Sequence, residues 1–313
     1  MQKIRNFRHI FGPVRSRRLG ISLGVDMVPF KTCTLNCIYC ECGATTELTA
    51  QRKEYVSTEG IISELKEYLS QHPEVDYVTF GGSGEPTLHT GLSSVIQFLK
   101  SNFPAVKTAL LSNSTFFHLP EVRSEVLLCD LILPSLDAVS QHVFEKINKP
   151  VVSSDSDMII EGLEKLSREF KGQIWLEVFI VPQVNDTEEE LLLFKQAIER
   201  INPTRVQLNT LDRPGVCSWL KAATPEQLSR VADFLKPLPV EIISRNFPPL
   251  DSTKLQIHAS SVISTLKRRP STIEDLSTTL GMTVNDISKL LESLTEQGLV
   301  TSETIGNRIF FRS

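Results

Sequence analysis

Residues 31–43 read KTCTLNCIYCECG. Cys33, Cys37 and Cys40 stand in a C-x3-C-x2-C spacing, three thiols on one short loop with no fourth ligand in register. A structural zinc site closes with four ligands, usually as two separated pairs. A four-iron cluster has four irons to ligate, so three protein thiolates leave one iron open to an exogenous ligand. The competing arrangement recruits Cys42 to a zinc ion, but Cys42 follows Cys40 by only two residues, too close for easy tetrahedral closure from one loop. A disulfide framework fits less well. Six Cys in 313 residues is not disulfide-dense, and no apolar run follows the basic N-terminus as in a secretory signal.

Downstream, residues 76–91 read DYVTFGGSGEPTLHTG. Tyr77 to Phe80 reads as a buried strand that runs into a glycine-rich turn. Gly81, Gly82 and Gly84 permit positive φ or a close backbone approach to a ligand. Taken alone, this is equally a tight strand-to-helix turn. Taken with the cysteine loop, it resembles the radical S-adenosylmethionine (SAM) superfamily, with GGSGE as its so-called GGE motif. The resemblance implies a [4Fe-4S] cluster on Cys33, Cys37 and Cys40 whose open iron chelates the amino and carboxylate groups of SAM. It implies reductive cleavage of SAM to a 5′-deoxyadenosyl radical that abstracts hydrogen from a substrate, with an electron donor such as flavodoxin or ferredoxin. Glu85 would accept a charge-assisted hydrogen bond from the SAM ammonium, beside Gly82 and Gly84.

From about residue 20 to about 245 strand and helix patterns alternate. Ile21–Val28, Tyr77–Phe80, Lys107–Leu111, Leu131–Pro134, Ile174–Val181 and Arg205–Asn209 are the strand candidates. Amphipathic stretches lie between them, with N-cap signatures at Asp186/Glu189 and Thr224/Gln227. Six alternating strands predict an α/β fold with a parallel sheet and helices outside. The family's partial (βα)6 barrel suits that count. Ligands then gather at the carboxyl ends of the strands. By resemblance, Asn113, Ser135 and Asp137 are candidates for the SAM carboxylate and ribose, and Asn209 for the adenine or the substrate. Tyr39 would pack on adenine or shield the cluster. The bland alternative for each is a turn or cap residue, and no side chain is singled out as acting on the substrate.

A Pro-rich linker, residues 246–253, separates the barrel (1–245) from a small domain at 254–313. There, a helix is followed by a capping box at Ser271-x-x-Glu274, a helix ending at Gly281, a third helix capped by Thr283, and a hairpin around Ile305-Gly306-Asn307. This order resembles a winged helix-turn-helix domain. Its third helix carries Asp286, Glu292 and Glu296 against Lys289, so nucleic-acid binding is weakly supported. Every candidate SAM contact lies in the barrel, which predicts that SAM binding is indifferent to this domain.

Net charge is −4 and charged content 22%, giving no global electrostatic case for nucleic acid. No apolar run is long enough to span a membrane, and free thiols suit a reducing cytoplasm. The local exception is the run before Asp26, where Lys3, Arg5, Arg8, Arg15, Arg17 and Arg18 occur with no acid. It reads as a solvated arm or, more sharply, as the recognition element for an acidic or phosphate-bearing substrate. The wording FGPVRSRRLGISLGVDMVPFKTCTLNCIYC, residues 11–40, resembles a branch of iron–sulfur oxidoreductases related to the tRNA wyosine-synthesis enzymes. Those enzymes carry a second cluster on upstream cysteines, and here no Cys precedes Cys33, so wyosine chemistry does not carry over. The alternative function is a regulator whose barrel senses SAM or redox state while the C-terminal domain binds nucleic acid or a protein partner.

Overall fold

The computed structural model describes residues 7–72, 74–151, 154–243 and 259–313. An antiparallel hairpin opens the chain, β1 (Ile10–Ser16) and β2 (Gly20–Val25). The cysteine loop follows, holding the paired two-residue strands β3 (Thr32–Cys33) and β4 (Glu47–Leu48). Next come α1 (Thr58–Leu69), β5 (Tyr77–Phe80), a 3-10 turn at Pro86–Leu88, α2 (Leu92–Asn102), β6 (Lys107–Ser112) and α3 (Pro120–Val126). They are followed by β7 (Leu131–Pro134), α4 (Gln141–Asn148), α5 (Ser156–Glu169), β8 (Gln173–Phe179), α6 (Glu188–Ile201), β9 (Arg205–Asn209), α7 (Pro225–Phe234) and β10 (Val240–Ile242).

One sheet takes the order β1-β2-β5-β6-β7-β8-β9-β10, parallel throughout except for the β1–β2 pair. Side chains alternate between its faces. Leu110 and Ile132 join the large core under the helices, whereas Ala109, Leu131 and Leu133 form a separate cluster with Leu19 on the opposite face. The sheet is strongly curved. Strands β2 and β8 are four positions apart, about 19 Å in a flat sheet. Yet Arg18, in the β1–β2 turn, places Nη1 2.6 Å from Glu177 of β8 and 2.9 Å from Gln207 of β9. The second apolar cluster therefore lies inside the curve, as in a partial barrel.

The amphipathic stretches form helices as their caps dictate. Thr224 and Gln227 close a capping box on α7. The cap of α6 is Thr187, not Asp186, because the Asp186 carboxylate is already taken by the Gln183 amide at 2.6 Å and Arg230 at 2.9 Å. Residues 259–313 form α8 (Ala259–Arg268), α9 (Ile273–Leu280), α10 (Val284–Glu296) and the hairpin β11 (Thr301–Ile305) with β12 (Arg308–Arg312). Here too the capping box shifts by one residue, to Thr272 and Asp275. Ser271 is held extended by exchanging backbone hydrogen bonds with Phe311. Gly281 ends α9 in the left-handed conformation, as expected. Val262, Leu266, Leu276, Leu280, Ile287 and Leu291 form a core of their own, which Val14 of β1 joins. The predicted linker at 246–253, the start of the following helix, and Lys3 and Arg5 lie outside the described residues.

Three features depart from the sequence reading. The basic run is not an arm from residue 10 onward but β1, with a bulge between Phe11 and Val14. A seventh parallel strand, β10, extends the far edge. The expected first strand stops at Val25, short of Val28.

Candidate functional site

Two backbone bonds clamp the cysteine loop onto the glycine turn. Lys31 N–H donates to Ser83 O at 2.8 Å, and Glu85 N–H donates to Thr32 O at 3.1 Å. This contact explains Gly84, where a Cβ would stand 2.1 Å from Thr32 O. Gly82 has φ +147°, and its Cβ would meet the Asp26 carboxylate at 2.9 Å. The glycines thus let two loops approach each other, as well as any ligand.

A cavity of about 210 Å³ opens beside these loops. Cys33, Cys40, Gly82, Gly84, Glu85, Asn113 and Ser135 line it, so seven of the eleven predicted site residues converge there. Three more, Cys37, Tyr39 and Asp137, sit in an adjoining network. Tyr39 O–H donates to Asp137, and the Tyr39 ring stacks on Phe179 with centroids 3.9 Å apart. Asn148 Nδ2 links Asp137, at 3.0 Å, to the Cys37 sulfur, at 3.3 Å. Phe179 N–H occupies the other Asp137 oxygen at 3.0 Å. Both oxygens of Asp137 and one face of Tyr39 are therefore spent within the protein. Burial raises the Asp137 carboxyl to about 6, against the hydrogen bonds from Tyr39, Asn148 and Phe179. Asn209 lines neither cavity of this face. Its carbonyl accepts from Ile180 N–H at 2.7 Å and its side chain from Thr210 N–H at 2.9 Å.

Glu85 is buried, and its carboxylate gathers donors from two segments, its own turn and the end of β6. Oε1 accepts from Thr87 N–H at 3.1 Å, Thr87 O–H at 2.5 Å and Ser112 O–H at 2.8 Å; Oε2 accepts from Asn113 N–H at 2.7 Å. Burial raises its pKa against these bonds. With three donors on Oε1 and one on Oε2, the remaining acceptor capacity is on Oε2.

The chemistry of the thiols suits a cluster. Cys33, Cys37 and Cys40 are free and half-buried. Each faces an N–H donor: Asn113 Nδ2 at 3.4 Å from Cys33, Asn148 Nδ2 from Cys37, and Lys31 Nζ at 3.0 Å from Cys40. Such donors orient ligands and stabilise negative sulfur. Burial pushes Cys33 up to about 11 and Cys37 well above the usual thiol range. Cys40 falls to about 6, because Cys42 donates a hydrogen bond to it and Lys31 adds positive charge. Among the described residues no three His, Cys, Asp or Glu side chains converge on a single-ion position, whereas a cluster spreads its ligands over different irons. Cys42 Sγ lies 3.3 Å from Gly82 O.

Lys31, Arg18, Glu177, Asn148 and Asp26 also belong to the site, and the sequence reading did not select them. Lys31, two residues before Cys33, was within reach of the motif itself. Asp26 ties the C-terminal unit to the site. One oxygen accepts from Ser83 O–H, in the glycine turn, at 2.9 Å; the other pairs with Arg268 at the end of α8. Arg268 also stacks on the Phe11 ring at 3.9 Å. A second link runs through the buried Arg213, 3.3 Å from Glu41 in the cysteine loop and 3.5 Å from Asp275 of α9. The candidate site thus touches the C-terminal unit through Asp26 and Glu41, although every residue that lines the cavity lies in the barrel.

A model of the radical SAM superfamily matches residues 27–194. A UPF0026 protein of Helicobacter pylori is 33% identical over 304 residues, 96% of each chain. A protein of Brachyspira hyodysenteriae named GTPase Obg is 35% identical over 301 residues, 95% of this chain; those residues span 44% of its length. In three dimensions a radical SAM methyltransferase from Sphaerobacter thermophilus superposes with a TM-score of 0.56 at 14% identity, covering 72% of this chain and 67% of the other. That likeness shows the fold. No helix among the described residues is long and apolar enough to cross a membrane.

Proposed function

Because the chain belongs to the radical SAM superfamily and is an enzyme of that class, we propose that Cys33, Cys37 and Cys40 hold a [4Fe-4S] cluster in the cavity wall and that SAM binds beside it. When bound, these cofactors supply a 5′-deoxyadenosyl radical for hydrogen abstraction from a substrate. The chain's own part is to hold and orient. Lys31, Asn113 and Asn148 direct N–H groups at the three sulfurs. Glu85 offers an oxygen to the SAM ammonium from a site already fixed by Thr87, Ser112 and Asn113. Gly82, Gly84 and Ser135 complete the wall. Tyr39 and Asp137 support the floor of the cysteine loop rather than the ligand, and Asn209 supports strand ends. A donor of the flavodoxin or ferredoxin type supplies the electron.

The observation that carries this proposal is the loop of three free thiols, each met by a nitrogen donor, beside a cavity that Glu85 lines. The test is anaerobic reconstitution with iron and sulfide, followed by reductant and SAM. Formation of 5′-deoxyadenosine is expected. Ala at Cys33, Cys37 or Cys40 abolishes both oxygen-labile iron absorption and SAM cleavage, while Cys42→Ala keeps both. Retention of full iron in a Cys37→Ala protein, or its loss in Cys42→Ala, refutes the assignment.

We read residues 259–313 as the winged helix unit the sequence pattern suggested, acting by docking on the barrel. Support comes from the ion pairs Arg268–Asp26 and Arg213–Asp275 and from the acidic excess on α10. Nucleic-acid reading gains no support from that charge.

A further inference from the structure

Two cavities meet at Arg18. The first is the 210 Å³ space of the cysteine loop and glycine turn. The second, about 240 Å³, is lined by Arg17, Arg18, Trp175, Arg205, Gln207 and Glu241, with Arg18 common to both. SAM seated in the first cavity would take up its space, which leaves the neighbouring chamber as the place for a second reactant.

The arginines of that chamber have unspent capacity. Arg18 uses only Nη1, on Glu177 and Gln207; among the described residues its Nε and Nη2 have no partner. Arg17 makes an ion pair with Asp212 at 3.6 Å but no hydrogen bond among the described residues. Burial lowers its pKa, partly offset by Asp212. Arg205 lies over the Trp175 ring at 4.9 Å and pairs with Glu241 at 3.3 Å. Glu241, the acid that lines the chamber, is already opposite Arg205, and the acids that pair with Arg18 and Arg17 are Glu177 and Asp212.

The turn that carries Arg17 and Arg18 is fixed in advance. Ser16 Oγ accepts from both Arg18 N–H and Leu19 N–H at 3.2 Å. Asp76 accepts from Ile21 N–H at 2.8 Å, and Gly20 at φ +72° passes so close that a Cβ would meet Asp76 at 2.4 Å. A preset turn presents its guanidinium groups with little ordering cost on binding.

We propose that this second chamber receives the substrate, and that Arg17 and Arg18 bind an anionic oxygen group on it, a carboxylate or a phosphate. The guanidinium fork matches both groups. Its position at the junction sets the rest of the substrate against the first cavity. The inference rests on the radical SAM reading of that first cavity.

The chain has two tryptophans, and Trp219 is exposed. In reconstituted holoenzyme carrying Trp219→Phe, Trp175 is the sole indole and reports on the chamber. Inorganic phosphate and acetate, titrated separately at constant ionic strength, are the probes. At least one should change Trp175 emission saturably, and the tighter one names the group. Arg18→Gln and Arg17→Gln should each weaken that response about tenfold, the loss of one charge-assisted bond, with Arg18→Lys between Arg18→Gln and the parent. Iron content and urea midpoint check folding; if Arg18→Gln fails that check, Arg17→Gln and Arg18→Lys decide. No saturable response to either anion overturns the proposal, as does a response unaltered by the arginine variants. SAM cleavage in the same preparation is scored separately. Its absence would sink the radical SAM reading whatever the anions do, and its presence with a silent Trp175 would sink only the anion site.

Discussion

Replacing Arg268 by Met tests whether the C-terminal unit shapes the SAM site. The pair Arg268–Asp26 is mostly buried, with 18% and 14% of the side chains exposed. Exposed ion pairs are worth about 0–1 kcal/mol, whereas breaking a buried one costs about 3–5 kcal/mol. This pair lies between, since Asp26 keeps its bond from Ser83. Loss of the stacking of Arg268 on Phe11 adds about 0.5–1 kcal/mol. Arg268→Met should therefore cost about 2 kcal/mol, and a cycle with Asp26→Asn should return a coupling of about 1–2 kcal/mol from urea midpoints. The functional consequence has a ceiling. SAM affinity can fall by no more than the energy transmitted through Asp26 to Ser83, so about thirtyfold at most for 2 kcal/mol. Isothermal titration of SAM into reconstituted protein, with iron content unchanged, measures it. A destabilised variant with wild-type SAM affinity would refute the transmission while leaving the docking itself intact.

Two more outcomes are specific enough to check. Glu85→Gln places an amide where Thr87, Ser112 and Asn113 all donate; SAM affinity should drop about a hundredfold, on the order of 3 kcal/mol, and unchanged affinity would return Glu85 to a purely structural role. Asp137 has a folded pKa of about 6 against an ordinary 3.8, so between those values the folded state binds the proton more tightly. Stability of the metal-free protein should then fall as pH rises through that window, by on the order of 3 kcal/mol, and Asp137→Asn should flatten the slope in urea titrations.

The elements that sequence revealed are those whose signals are local. The thiol spacing, the glycine turn and six strands with their helices each announce themselves within a few residues. Strand β1 did not, because Gly12-Pro13 and Arg15 interrupt its pattern and its bulge breaks the alternation. Strand β10 spans three residues, too few to show a period. The partners of Tyr39 and Cys37 were beyond reach for another reason. Asp137 lies 98 residues from Tyr39, Asn148 lies 111 from Cys37, and Glu177 lies 159 from Arg18. The curvature of the sheet brings Arg18 to Glu177, and backbone bonds from Asn36 to Asn148 and from Ile38 to Ile147 carry the cysteine loop to the others. From sequence alone, Asp137 reads as a candidate for the SAM carboxylate or ribose, and the arginines as a solvated arm or the recognition element for an acidic or phosphate-bearing substrate.

Strand β1 is the outermost strand on its side of the sheet, and α8 and α9 pack against it, with Val14 in their core. An outer strand left bare offers its backbone to other chains as a template for pairing. During synthesis the cover of β1, residues 259–313, is made some two hundred and forty residues after it. The nascent protein therefore carries that strand without its cover through the interval between them. The proline at position 13, which cannot donate in such a pairing, and the charges at Arg15 and Arg17 are its protection in that interval. A chain interrupted before α8 should keep that strand bare and self-associate more than the full chain, a difference that light scattering measures.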